Sequence, residues 1–164
     1  QYITPWIPDV YHLATIHRAE NTDNPQNLKD IFTAFGNIEK NIVLPLHPRT
    51  RKTLLEPGNI PANVTIIDPV GYLQMLYLTL HADKVLTDSG GLQKEAYFLG
   101  KQCITLRTET EWVETMHDNW NIITGSDPGK IVRAILADPP KAPVNKDFGD
   151  GNAAGVILES LLRF

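Results

Sequence analysis

Thr87-Asp88-Ser89-Gly90-Gly91-Leu92-Gln93-Lys94-Glu95-Ala96-Tyr97-Phe98-Leu99 reads as the end of a strand, a tight glycine turn and a helix. Lys84 to Thr87 is a short β-prone run, Ser89 is placed to cap the helix that follows, and Gly100 is placed to end it. With no Cβ at Gly90 or Gly91, an anion can approach the backbone closely. The unpaired N–H groups and the dipole of a helix start favour negative charge there. A glycine-rich turn with no ligand has the same outline, and Glu95 shifts the balance. It lies one turn into the helix, where its carboxylate can accept hydrogen bonds from vicinal ribose hydroxyls while phosphates occupy the helix mouth. Neither the three-glycine dinucleotide pattern nor the Lys-Ser/Thr ending of a P-loop is present, so another kind of nucleotide ligand is indicated.

Asp88-Ser89-Gly90-Gly91 also has the outline of the serine nucleophile segment of trypsin-like proteases. Those are all-β proteins with several disulfides, whereas this chain has one cysteine, helical patterning after the serine and no Gly-x-Ser-x-Gly elbow. With 164 residues and 42% hydrophobic content, one domain spanning 1–164 is expected. A net charge of −4 argues against non-specific nucleic-acid binding, and no run is basic enough for a membrane surface or apolar enough for a membrane helix. Cys103, alone in an apolar run, is expected to be a buried small hydrophobe, and a reducing, cytoplasmic setting is the default. The opening Gln1 to Pro8 reads like a linker feeding a strand, as if cut from a longer protein.

Outward from the central stretch, strand-like and helix-like segments alternate with short loops, the pattern of a parallel sheet covered by helices on both faces. Strands are expected at Tyr11–Ile16, Asn41–Leu46, Val64–Asp68, Lys84–Thr87, Gln102–Leu106 and Trp120–Ile123. His17 to Asn21 is expected to be a loop. Asn24 then caps and Pro25 starts a helix whose Leu28, Ile31, Phe32, Phe35 and Ile38 recur at helical spacing. A short helix is expected to stop near Gly58, and Tyr72–His81 to form a helix apolar nearly all round. Trp112–His117 reads as a short helical patch, Pro128 opens a helix with Ile131, Ala134 and Ile135 on its apolar face, and Ala153–Arg163 closes the chain as a last helix. Ligands of open parallel sheets bind beyond the carboxyl ends of the strands. His17, Arg18, His47, Arg49, Ser89, Glu95, Arg107 and Glu111 all follow expected strands, so one crevice is expected to gather them. Taken singly, the loop histidines His47 and His117 read as surface residues rather than catalysts, and His12 and His81, inside regular elements, carry still less functional signal.

Thr15-Ile16-His17-Arg18-Ala19-Glu20-Asn21, Pro45-Leu46-His47-Pro48, the segment Leu86 to Gly100, Thr110-Glu111 and Gly149-Asp150-Gly151 occur in an order and spacing that is hard to obtain by chance. Together they resemble the C-terminal domain of the non-hydrolysing UDP-N-acetylglucosamine 2-epimerases. The resemblance covers nearly the whole chain. It implies an α/β, Rossmann-like parallel sheet forming the C-terminal half of a glycosyltransferase B-type fold, with the N-terminal domain absent. It further implies that Ser89, Gly90 and Gly91 hold the UDP phosphates, Glu95 the ribose and the backbone near Met75 the uracil. His17 is implied to stabilise UDP as it leaves, and Arg18 and His47 resemble positions that contact a regulatory UDP-sugar in some bacterial members.

The resemblance implies an isomerase that eliminates UDP from the sugar, forms a glycal and re-adds UDP with C2 inverted, in surface-polysaccharide precursor synthesis. The acids proposed for proton transfer lie in the missing N-terminal domain, so this chain alone is expected to be inactive. The expected partners are a UDP-sugar, that domain and, for the full enzyme, a second copy in a homodimer; no metal, other cofactor, nucleic acid or membrane is expected. Where many members have Glu-Arg-Pro-Glu, this chain has Glu111-Trp112-Val113-Glu114, a version similar both to relatives acting on UDP-2,3-diacetamido-2,3-dideoxy-glucuronic acid and to epimerases of the simple sugar. Arg107 remains as a cation in that loop and, with Glu111, is a candidate sugar contact. The alternatives are a non-catalytic UDP-sugar-binding module and half of a UDP-sugar glycosyltransferase.

Overall fold

Every strand of the sheet runs parallel to its neighbours, and their order reverses direction in the middle. The computed structural model describes residues 7–46, 50 and 60–163. Its strands are β1 (Tyr11–Thr15), β2 (Asn41–Pro45), β3 (Val64–Ile67), β4 (Lys84–Thr87), β5 (Gln102–Thr105) and β6 (Asn121–Ile123). They lie in the order β3-β2-β1-β4-β5-β6. From β1 the chain steps outward to β2 and β3, then crosses back to β4 on the other side of β1, so the switch point falls between β1 and β4. There Leu13, Ala14 and Thr15 stand in register with Val85, Leu86 and Thr87.

Alternation along the strands sends side chains to two cores, as a pleated strand requires. Ala14, Ile42, Leu44, Leu86 and Ile104 face one core, with Leu28, Ile31, Phe32 and Phe35 of α2 (Pro25–Gly36) and Ile131, Ala134 and Ile135 of α5 (Pro128–Leu136). On the opposite face, Leu13 and Val43 pack with Leu78 of α3 (Tyr72–His81), while Val85 and Cys103 pack with Leu92 and Ala96 of α4 (Gly90–Phe98). Each buried large apolar side chain is worth roughly 1.5–3 kcal/mol. The helix starts are fixed by polar caps. Asn24 accepts from Gln26 N–H at 3.0 Å, and Asp127 accepts from Lys130 N–H at 2.7 Å. Gly100 ends α4 with φ of 64°. Burial pushes the Cys103 thiol up to about 12, so it packs as a hydrophobe.

Several segments differ from the sequence expectation. Residues Ala19–Thr22, expected as loop, form a one-turn helix, α1, whose N-cap Arg18 offers no side-chain cap. The segment Trp112–His117 is a 3-10 stretch over Val113–Asn119, kinked at His117, with Asp118 and Asn119 at positive φ. Trp120 is buried just before β6 and lies outside it. Helix α3 is apolar nearly all round, yet only one face is covered: Leu78 is buried while Tyr72, Leu73 and Tyr77 are exposed. The last helix, α6 (Ala153–Leu162), buries none of its residues. His47, Arg49 and the short helix expected before Gly58 lie outside the described residues.

Candidate functional site

At the switch point, a cavity of about 280 Å³ opens beyond the carboxyl ends of β1, β2 and β4. Its lining joins His17 from the β1 loop, Met75 from α3, and Ser89, Gly91 and Glu95 from α4. Five of the sequence-predicted ligand residues therefore share one wall system. Thr15 and Thr87 join their hydroxyls across the strand seam at 2.6 Å, and Thr87 Oγ1 accepts the Ser89 N–H at 2.9 Å, which aims the turn. Ser89 Oγ then accepts from Leu92 N–H at 3.5 Å as the N-cap of α4. The N–H groups of Gly90 and Gly91 lie in the first turn, where no intrahelical carbonyl reaches them.

The two glycines differ. A Cβ at Gly91 would meet only Ser89 Oγ at 3.9 Å, so that side is open toward the cavity. A Cβ at Gly90 would come within 3.3 Å of Trp112 Nε1 and 3.4 Å of Glu111 Oε2. Gly90 is thus a glycine because the loop from Arg107 to Trp112 packs on it. Trp112 is held there by the Lys94 ammonium 3.8 Å above its ring, and its backbone N–H donates to the Thr110 hydroxyl, which itself donates to Gln93 at 2.6 Å. One turn further along, burial raises the Glu95 carboxyl above its ordinary range, with Lys94 opposing the shift.

Arg107 and Glu111 stand together on the Gly90 side. The guanidinium donates to Glu111 at 2.8 Å and 3.0 Å, and Glu20 and Glu109 lie at 3.8 Å and 3.7 Å. The hydrogen bond from Arg107 holds the Glu111 carboxyl below its usual range, with Arg18 adding to the same effect. Arg107 and Glu111 therefore stand as one ion pair beside the helix mouth, and neither Arg107, Glu111 nor Arg18 lines the cavity. The charge of Arg107 is already shared among three carboxylates. Among the described residues, no three His, Cys, Asp or Glu side chains gather as metal ligands.

Two residues carry more of the site than their sequence reading assigns. Asp88 is fully buried and accepts from His17 N–H at 3.1 Å, Arg18 N–H at 3.0 Å and Asn21 Nδ2 at 3.1 Å. Asn21 in turn donates to the carbonyl of Leu106 at 2.9 Å. Both stand inside the quoted motifs, where the signal was an acid and an amide next to the residues given roles. Only the fold brings them into contact.

An open parallel sheet in this order, with its cavity at the switch point and a glycine-rich helix mouth on the wall, defines a Rossmann-like ligand-binding domain. The family model of UDP-N-acetylglucosamine 2-epimerase matches residues 2–162. The chain belongs to that family. It is 50% identical over 157 residues to a UDP-N-acetylglucosamine 2-epimerase homolog of Methanococcus maripaludis, covering 92% of this chain and 44% of the relative. It is 44% identical to the UDP-2,3-diacetamido-2,3-dideoxy-D-glucuronate 2-epimerase of Pseudomonas aeruginosa, covering 94% and 45%. The crystal structure of Methanocaldococcus jannaschii UDP-GlcNAc 2-epimerase in complex with UDP-GlcNAc and UDP superposes with a TM-score of 0.78 at 37% identity, over 95% of this chain and 46% of that one. The calicheamicin glycosyltransferase CalG4 shares the fold alone, at 18% identity and a TM-score of 0.65. The chain spans less than half the length of the curated relatives it matches.

Proposed function

We propose that this chain is the UDP-sugar-binding domain, over residues 1–164, of a UDP-N-acetylglucosamine 2-epimerase acting on UDP-GlcNAc or a related UDP-diacetamido-uronic acid. The observation that carries the reading is the cavity whose lining holds Ser89, Gly91, Glu95, Met75 and His17 together. In this reading the diphosphate lies at the mouth of α4, against the N–H groups of Gly90 and Gly91 and the positive end of the helix dipole. Glu95, one turn deeper, accepts from the ribose hydroxyls, and the base lies by Met75. His17 faces the diphosphate and supplies a hydrogen bond that strengthens as UDP leaves C1. The carboxylates that move the C2 proton come from the N-terminal domain, in a cytoplasmic homodimer of the full enzyme. Arg18, Arg107, Glu111 and His47 are assigned to the sugar or to a regulatory nucleotide.

Calorimetry with this chain tests the reading. Glu95→Ala should weaken UDP by about 1–3 kcal/mol, the range for a hydrogen bond to a charged group, while leaving pyrophosphate nearly unchanged. Equal losses for the two ligands would remove the ribose role, and a wild-type chain that ignores UDP would remove the proposal.

A further inference from the structure

The buried carboxylate of Asp88 has no part in the ligand wall, yet the loop that carries His17 is built on it. We propose that Asp88 is the positioning residue for the His17 imidazole, fixing Nδ1 as its protonated nitrogen and turning Nε2 to the cavity. The proposal rests on the UDP reading for its consequence and on geometry alone for its first step.

Three donors from one loop converge on the carboxylate. The His17 N–H divides between Oδ1 and Oδ2 at 3.1 Å each, while Arg18 N–H and Asn21 Nδ2 reach Oδ2 at 3.0 Å and 3.1 Å. The ring nitrogen Nδ1 of His17 lies 3.5 Å from Oδ1. Asn21 is tied at the same time to Leu106 O, so the end of β5, the start of α1 and the end of β4 meet at one carboxylate. An asparagine at 88 would turn an NH₂ group toward a donor in any orientation, whereas an aspartate accepts from all of them. A charge buried without such a set of donors is strongly disfavoured, so the residue is not an interchangeable loop anchor.

The ring is about one-third exposed and lines the cavity, while its Asp88 partner is fully buried. A nitrogen facing a carboxylate acceptor carries its proton, and the two ring nitrogens point to opposite sides of the imidazole. In this proposal Nδ1 is turned to Asp88 and Nε2 lies on the side of the ring away from that carboxylate, toward the cavity that His17 lines. A ring left to itself prefers the proton on Nε2 and turns about its side-chain bonds. Asp88 removes both freedoms before the ligand arrives, as the second partner of a metal-bound histidine does.

The experiment has two arms. In the first, ¹⁵N spectra of the wild-type ring at about pH 8, above the ordinary imidazole range, should show the Nδ1–H tautomer for His17. Asp88→Asn should return the ring toward Nε2–H. A wild-type His17 in the Nε2–H form overturns the proposal whatever UDP does, and this arm stands even if the variant does not fold. The second arm is a cycle of UDP affinities. Asp88→Asn should cost on the order of tenfold in the wild-type background, and little beyond the loss already caused by His17→Ala when both are present. A loss of equal size in both backgrounds would mean that Asp88 holds the fold and not the ring. If the wild-type chain binds no UDP, the functional reading falls while the tautomer still decides this one.

Discussion

The two sides of the α4 mouth are made from adjacent glycines and are built for opposite purposes. On the Gly91 side there is space: a Cβ would find one hydroxyl at van der Waals distance, and the cavity begins there. On the Gly90 side there is protein: the indole of Trp112 and the carboxylate of Glu111 press on the backbone, and Arg107 gathers its carboxylates behind them. The difference teaches that two neighbouring glycines in such a turn can be needed for different reasons. The N–H groups of both face the proposed diphosphate, while Gly91 leaves open space at the cavity and Gly90 leaves room for the loop that walls it.

The largest expected effect is therefore at Gly91. Gly91→Val should abolish measurable UDP binding, because a branched side chain fills open space at the helix mouth, while the melting temperature stays within a few degrees of wild type, near the ±0.5 kcal/mol of ordinary surface substitutions. A variant that unfolds would make Gly91 structural and erase the contrast. The same substitution at Gly90 should do the reverse. It overpacks a contact with Trp112 and Glu111, costing about 1–3 kcal/mol of stability in a denaturant titration. Should Gly90→Val melt like wild type, the packing on that side is softer than the geometry implies.

This division was not legible in the chain. Gly90 and Gly91 are neighbours in one turn, and the residues that distinguish them, Glu111 and Trp112, lie about twenty positions away on a segment whose path depends on the Gln93–Thr110 hydrogen bond and the Lys94–Trp112 contact. Periodicity, in contrast, located the apolar faces of α2 and α5, since Leu28, Ile31, Phe32, Phe35, Ile131, Ala134 and Ile135 are all buried. Turn chemistry located the caps at Asn24 and Ser89. It missed α1, because four residues without a side-chain cap carry no pattern of their own and are held from outside by Asp88, which accepts from the Arg18 N–H and from the Asn21 side chain. For the same reason the pairing of Arg107 with Glu111, outside the cavity, came only with the fold.

The smallest effect is expected from that pair, and it carries the finest distinction. Glu111 is an exposed carboxylate beside a helix mouth proposed to take a diphosphate, and its charge is shared with Glu20 and Glu109 around one guanidinium. Exposed pairs of this kind contribute about 0–1 kcal/mol and are screened by salt. Glu111→Gln should leave the fold unchanged and tighten UDP slightly, by less than about 1 kcal/mol, because one negative charge near the diphosphate is gone. That gain should shrink as salt is raised toward 1 M, where the screening length falls to about 3 Å. UDP-GlcNAc separates the electrostatic role from a direct one. If Glu111 only tunes the field, the sugar nucleotide gains as UDP does. If it accepts a hydrogen bond from the sugar, UDP gains while UDP-GlcNAc loses, and the Gly90 side is a second part of the ligand site and not merely the wall behind it.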